Sequence, residues 1–377
     1  VFIGCALVVY AVARGEELVR VVAQYLSASA MVWRWAFLLW AVASLLWTGT
    51  GGGSPLERAI TLLEIQFVGI VLFDAARNLR LFRWILQVTL ATAIIGALHA
   101  LTTGETGSTS TRLQGMYRNP NLLATTIVMG LACFHAGVDI GWGRLKRFVS
   151  HAGSLVLLLG VVAAASVKGI VGTAVVWLLG GLFRHVRCRA LIQLVVVSVT
   201  VTLLVVSVAP LQLYWEKMVY RSALTAASFQ TSAGASNSLV ERLRYMQTGV
   251  DLISEAPLQG HGLDAFRWLS GEGTYAHNNY VDLGVGVGLV GVLLFYGFHL
   301  DLLRRSLQLG GVGSIGGRFL AILVPSLMVI DIATVSYVAK LPTLLLIATA
   351  GWIDREMERN RMGTRRKPCS EERGTCL

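Results

Sequence analysis

The sequence predicts an all-α polytopic membrane protein of eleven transmembrane helices, with one large, mostly helical loop domain on the outer face. Three observations lead there. Of the 377 residues, 55% are hydrophobic and only 14% are charged, whereas a soluble domain carries roughly 25% charged residues. Mean hydropathy is +0.65. The apolar runs are continuous rather than alternating, which calls for helices, because a lipid-exposed barrel strand alternates from residue to residue. This composition excludes a disordered chain, a coiled coil, collagen and a disulfide scaffold.

Reading for stretches of about 20 mostly apolar residues, fewer where helices are short, places spans at 1–13, 31–48, 56–75, 81–102, 119–139, 149–166, 168–184, 188–209, 277–300, 316–335 and 338–353. The pair 149–166 and 168–184 is joined by a very tight turn. Val1 opens directly into an apolar run, so a further helix is expected before it, twelve in the intact protein. The chain thus divides into helices with short loops (1–209), an outer loop domain (210–276), C-terminal helices (277–353) and a basic tail (354–377).

Orientation follows from the basic residues. With the C-terminus in the cytoplasm, 21 of the 32 lysines and arginines fall on the inner side, and every short connection obeys the positive-inside rule. Arg34 is expected at a helix end. The net charge of +11 is therefore mostly a topological signal, with attraction to anionic membrane lipids. Aromatic residues interleaved with a basic groove are absent, so no nucleic-acid partner is expected. No His/Cys cluster has metal-ligand spacing, so no metal is expected. None of the five cysteines falls in a segment placed outside the membrane on the outer face, so no structural disulfide is expected. The Gly286-Val-Gly288-Leu-Val-Gly291 run matches a dinucleotide fingerprint only formally, because it follows no strand. Gly284 and Gly288 read instead as a small-residue pattern for close helix approach.

The outer side carries the chemistry-bearing residues. Arg112-Leu-Gln-Gly115-Met-Tyr-Arg118-Asn119-Pro120-Asn121 runs into a span, with Asn119 placed as N-cap and Pro120 at the first helical position. Two arginines beside a helix N-terminus suit an anion; they equally suit arginines reaching for the membrane interface. Lys168 is a cation in the tight turn between two apolar helices, a costly placement. Residues 238–253 read as an amphipathic helix with Ser238 and Glu241 as capping box and an apolar face of Leu239, Leu243, Met246, Val250 and Ile253. Arg242 falls beside that stripe, at headgroup height, and Arg244 faces water; a helix lying on the membrane surface is the alternative. His277 stands where the outer domain re-enters the membrane. It is either structural or a proton acceptor, since its ordinary pKa suits proton transfer near neutral pH. His261, between Gly260 and Gly262, reads as turn chemistry.

In this order on one membrane face, these pieces resemble the O-antigen ligase and polymerase superfamily of bacterial envelope proteins. Arg112-x-x-Gly115 with Asn119-Pro120-Asn121 resembles its outer-loop motif, and Ser166-Val-Lys168-Gly169 its Ser-Arg-Gly turn. Arg242 with Pro257-Leu258-x-Gly260-x-Gly262 resembles the helix and turn of its large periplasmic loop. His277-Asn278 resembles the histidine that opens the next span. Lys168 replaces the usual arginine, keeping charge but losing the bidentate fork. Gly286 stands where a glutamate often occurs, and Arg118 has no regular counterpart.

The resemblance implies an enzyme of the bacterial inner membrane with its active site on the periplasmic face. It implies transfer of a glycan from an undecaprenyl pyrophosphate donor to a sugar hydroxyl of the lipid A core oligosaccharide, with inversion and with no cofactor. His277 would be the general base. Arg112, Lys168 and Arg242 would hold the diphosphate, with Arg118 and Arg244 as further candidates, and Arg112 and Arg242 would also stabilise the leaving group. An O-antigen polymerase and a protein O-oligosaccharyltransferase share the donor and differ in acceptor. A transporter or flippase is the alternative of another class, for which Asp331 and Glu64 are the acids to consider.

Overall fold

The computed structural model describes residues 10, 12–49, 54–104, 106–107, 110–117, 119–139, 146–164, 166–183, 238–309 and 313–365. The span expected over 188–209 lies outside the described residues, as does nearly all of that over 1–13 and the loop stretch 210–237. Helices follow in order: α1 (Glu17–Ser27), α2 (Ser29–Ala43), α3 (Pro55–Ala76), α4 (Leu79–Thr103), α5 (Pro120–Ala136), α6 (Lys146–Ala163), α7 (Val167–Phe183), α8 (Ser238–Glu255), α9 (Phe266–Leu269), α10 (Asn279–Gln308), α11 (Ile315–Ile330) and α12 (Lys340–Arg365). Among the described residues, Ser29–Leu46, Pro55–Ala76, Leu79–Thr103, Asn279–Gln308 and Ile315–Ala333 are long and apolar enough to cross a bilayer; Pro120–Ala136, His151–Ala163 and Val167–Phe183 are shorter apolar helices. This is the helical architecture of a polytopic membrane protein.

The sequence does not announce α1, which buries Val21 and Tyr25 and ties down through a hydrogen bond of 2.7 Å from the Tyr25 hydroxyl to Gln66 Oε1. A two-stranded antiparallel hairpin, β1 (Thr106–Gly107) and β2 (Ser110–Leu113), interrupts the loop between α4 and α5. At the centre stands α5, apolar on every side and buried along almost all of its length, as a helix enclosed by others must be. It packs on α4, α6, α7 and α11; α10 packs on α2 and α11, and α12 packs on α3.

Two expectations are corrected here. Arg34 does not sit at the end of its helix. It lies in the second turn of α2, 1% exposed, with its guanidinium nitrogens lacking any hydrogen-bond partner among the described residues. The rings of Phe37 and Phe295 flank it at 5.5 and 5.9 Å, giving it cation–π contact instead. Gly288 does not serve helix packing either. Its φ of 68° and ψ of −178° break α10.

The turn after α8 fits into that break. A helix broken at Gly288 withdraws the amides of Leu289 and Val290 from the carbonyls of Val285 and Gly286. The turn after α8 replaces all four groups. His261 N and Gly262 N donate to the Val285 and Gly286 carbonyls, each at 2.8 Å, while Leu289 N and Val290 N donate to the carbonyls of Pro257 and Leu258 at 2.8 and 3.3 Å. The Trp40 indole takes the Val287 carbonyl at 2.8 Å. Five backbone groups that the break frees are thereby paired within the protein rather than left to face lipid. Glycine is required on both sides of the contact. A β-carbon on Gly260 (φ +69°) would stand 2.5 Å from Gly288 N, and one on Gly288 would stand 2.2 Å from the Leu258 carbonyl oxygen.

Candidate functional site

Three helix N-termini open on the end of the bundle where the sequence placed its functional residues. Asn119 caps α5, its side chain accepting from Asn121 N at 2.8 Å and Leu122 N at 3.4 Å, with Pro120 at the first position. Asn278 caps α10 in the same way, accepting from Tyr280 N and Val281 N at 2.9 and 3.2 Å. Each such cap is worth about 1 kcal/mol. Between α6 and α7 lies Ser166, whose hydroxyl lies 3.3 Å from Asn121 Oδ1 and accepts from Gly169 N at 3.4 Å. A β-carbon on Gly169 would stand 2.7 Å from that of Ala124, so the glycine lets the start of α7 lie against the start of α5.

This close approach sets the position of Lys168. Its ammonium donates to Thr334 Oγ1 at 2.9 Å. Thr334 follows the short 3₁₀ turn Asp331–Ala333, and that turn is clamped to the start of α10 by Asn279. The Asn279 carbonyl oxygen accepts from Ser336 N and Tyr337 N at 2.8 and 3.0 Å, while its amide donates to the Tyr296 hydroxyl at 3.0 Å and to Asp331 Oδ2 at 3.4 Å. Tyr296 in turn donates to Asp331 Oδ2 at 2.9 Å. The asparagine doublet after His277 therefore has two jobs: Asn278 caps the helix, and Asn279 ties in the loop that holds Lys168.

His277 adopts φ +55°, a left-handed conformation uncommon for a residue with a side chain. Its ring is flanked by Tyr275, centroids 4.3 Å apart, and lies nearly parallel to Tyr245 at 6.1 Å. Burial, with the charges of Arg242 and then Lys168, lowers the imidazole pKa to about 4. His277 is thus neutral at physiological pH, with two cations close enough to oppose its protonation. The structure brings Lys168, Arg242 and His277 together from three separate stretches of sequence.

Arg242 gets there by a route different from the one its spacing suggests. In α8 the packed face is Tyr245, Gly249 and Leu252, not the leucine stripe; Leu243, Met246 and Val250 are exposed. Gly249 decides the matter, because a β-carbon there would stand 2.1 Å from Val281 of α10. Arg242, Tyr245 and Gly249 are spaced i, i+3, i+7, so Arg242 shares the face pressed on α10. Helical periodicity of apolar residues misses this because glycine carries no hydropathy signal. Arg244 is exposed, and its guanidinium pairs with Glu272 at 2.5 Å. His261 donates through a ring nitrogen to the Leu252 carbonyl at 2.8 Å, a turn contact.

Arg112 lies on β2. Gly115, three residues on and at φ +50°, seats the following turn on α4, where a β-carbon would stand 3.0 Å from the Cα of Ala100. The Arg112 side chain and all of Arg118 lie outside the described residues. Glu64, one of the acids considered for a transporter, pairs on the surface with Lys340 at 2.6 Å. Tyr245, Tyr275, Asn279 and Thr334 were not anticipated as neighbours of the site. Their only signal in the sequence is adjacency to Arg244, His277 and Asn278, or the lone acid Asp331 nearby.

Residues 152–296 match the protein-family model described as O-antigen ligase. The chain carries an O-antigen ligase family domain. Members of that family are lipid-linked glycan transferases, and this chain is an enzyme of that class. The ligase domain runs from α6 to the middle of α10, so Lys168, Arg242, the glycine turn and His277 all lie within it, and Arg112 lies before it. No curated protein matches the sequence.

Proposed function

We propose that the protein transfers an O-antigen glycan from undecaprenyl pyrophosphate to a sugar hydroxyl of the lipid A core at the periplasmic face of the bacterial inner membrane, with eleven spans in this chain and the C-terminus in the cytoplasm. The observation that supports this most is a neutral imidazole held beside two cations at a helix N-terminus. Arg112, Lys168 and Arg242 would bind the diphosphate; Arg118 and Arg244 are secondary, Arg244 because Glu272 already engages it. The outer domain, 210–276, would shape the acceptor cavity.

His277 takes the proton of the attacking hydroxyl as that oxygen bonds to the anomeric carbon. The bond from that carbon to the phosphate oxygen breaks on the opposite side, and the diphosphate leaves with the electron pair, so the anomeric centre inverts. The leaving group already holds the driving force, and the cations stabilise the charge it gains. A bound diphosphate also offsets the positive field on His277, making the imidazole a better base when donor is present than in the free enzyme. The broken α10 is the feature nearest to transporter architecture, but the turn 257–262 plugs it, whereas a transport site would leave such groups to the substrate.

The test supplies purified protein with lipid-linked donor and three acceptors, without nucleotide or divalent metal. Sugar gained by lipid A core supports the proposal. Transfer to a second lipid-linked chain makes the enzyme a polymerase, and transfer to serine or threonine a protein oligosaccharyltransferase. Transfer to none of them overturns the reading.

A further inference from the structure

At the opposite end of the bundle, two connected cavities open beside the start of α4. One, of about 210 Å³, is lined by Arg83, Gln87, Gly137, Val138, Asp139 and Ile315. The other, of about 380 Å³, is lined by Leu79, Arg80, Arg83, Trp84 and Gln87. Arg83 and Gln87 belong to both, so they form one notch.

Its chemistry is cationic and directional. Arg80, Arg83, Trp84 and Gln87 follow the i, i+3, i+4, i+7 spacing of one helix face. Gln87 is fixed by donating to the Asp139 carbonyl at 3.0 Å, and on the far wall Arg318 donates to the Ala136 carbonyl at 3.1 Å. The acid in the lining is Asp139. Arg80 and Arg83 are exposed, and neither has an ion-pair partner among the described residues. The first turn of α4 adds the positive end of its dipole, with Asn78 satisfying the amides of Arg80 and Leu81. Beside the cations, Leu81, Trp84, Val88 and Ile95 are exposed along the lipid-facing side of the same helix. Such a surface combines a phosphate-binding head with an apolar track for a chain, and a tryptophan stands where the two meet.

We propose that this notch is a binding site for an anionic glycerophospholipid, with the phosphate on Arg80 and Arg83 and an acyl chain along Leu81, Trp84 and Val88. Paired arginines elsewhere on this end, such as Arg77 with Asp354 and Glu358, already have carboxylates. Here the carboxylate's place is open to a lipid phosphate. The proposal does not depend on the reaction at the outer rim.

Native mass spectrometry of the full chain released from bilayer discs of equimolar phosphatidylglycerol and phosphatidylcholine would test it. The protein should retain phosphatidylglycerol about tenfold over phosphatidylcholine. The double variant Arg80→Gln with Arg83→Gln should fall to parity while keeping its gel-filtration profile, and Arg80→Lys with Arg83→Lys should keep most of the preference. Retention at parity in the wild type overturns the site. So does an equal loss in the control Arg304→Gln with Arg359→Gln, which would mean diffuse charge. Displacement of lipid by soluble glycerol phosphate at equal concentration would overturn the lipid assignment and leave a free-phosphate site. A double glutamine variant that fails to fold is replaced by W84A, expected to lower phosphatidylglycerol retention with the arginines intact; unchanged retention there overturns the acyl track.

Discussion

The two ends of the helical bundle use arginine differently. At the end away from His277, Arg14 pairs with Asp74 and Glu17, Arg77 with Asp354 and Glu358, and Arg305 with Asp301 at 2.7 Å. These pairs join α1, α3, α10 and α12 to their neighbours or to themselves. At the candidate site Arg242 has no ion-pair partner among the described residues, and Lys168 donates to a hydroxyl with its charge also reaching Asp331, while both cations act on a neutral histidine. A cation matched to a carboxylate has its field spent on holding helices together. A cation near a neutral histidine opposes the protonation of that ring. The comparison separates charges matched to carboxylates from charges that act on a histidine.

Removing the His277 imidazole should separate the ends most sharply. His277→Ala should cut transfer by about 10²–10⁴-fold while donor binding, read by lipid co-purification, persists; lost binding with equal loss of turnover would make the residue structural. Next come the cations. Arg242→Gln should lower transfer by about 10²-fold and raise the pKa of His277 toward its ordinary value, because a positive neighbour has gone. Initial rates against pH should therefore show the acid limb of kcat/KM, expected near pH 4 in the wild type, moving up in the variant. For the wild type itself, the acid limb of kcat should lie above that of kcat/KM, since bound diphosphate offsets the cations. Coincident limbs would detach His277 from them.

The end away from His277 should answer in stability instead. Arg77→Ala, which leaves two acids unmatched, should cost about 1–3 kcal/mol in thermal unfolding, with transfer per folded molecule within twofold of wild type. A large loss of turnover would erase the distinction between the ends. The smallest effect belongs to Arg244→Gln, whose pair with Glu272 is exposed. It should cost under about 1 kcal/mol and leave transfer within about twofold. A loss as deep as that of Arg242→Gln would promote Arg244 into the diphosphate site.

Linkage gives the pH dependence of stability a sign. The folded pKa of His277, about 4, lies below the ordinary 6.5, so the unfolded chain binds the proton first as pH falls. This residue therefore contributes stability above pH 6.5 that is lost between 6.5 and about 4.

Much of the membrane architecture was legible in the sequence because the bilayer imposes a length and a polarity that composition records directly. The starts of α5 and α10 were equally legible: Asn119-Pro120 announces its cap, and His277-Asn278 announces a re-entry. What periodicity misread was α8, where a hydropathy stripe pointed one way and a single glycine, Gly249, turned the helix another. Gly284 and Gly288 look alike in sequence, yet the first takes Ile253 of α8 against its helix and the second ends the helix. Telling them apart requires knowing what lies opposite, here the Pro257–Gly262 turn.

By itself, then, the sequence determined that this chain is helical, belongs in lipid and carries its arginines, lysine and histidine in an order that resembles one enzyme superfamily. Those are properties of local composition and spacing, which act wherever the segment happens to lie. Only the tertiary structure decided that Lys168 and Arg242 share a site with His277, that the imidazole there is neutral, and that a loop backbone completes a broken span. Each of these depends on groups far apart in the chain meeting at close range, where burial and charge act over a few ångströms and sequence distance has no bearing.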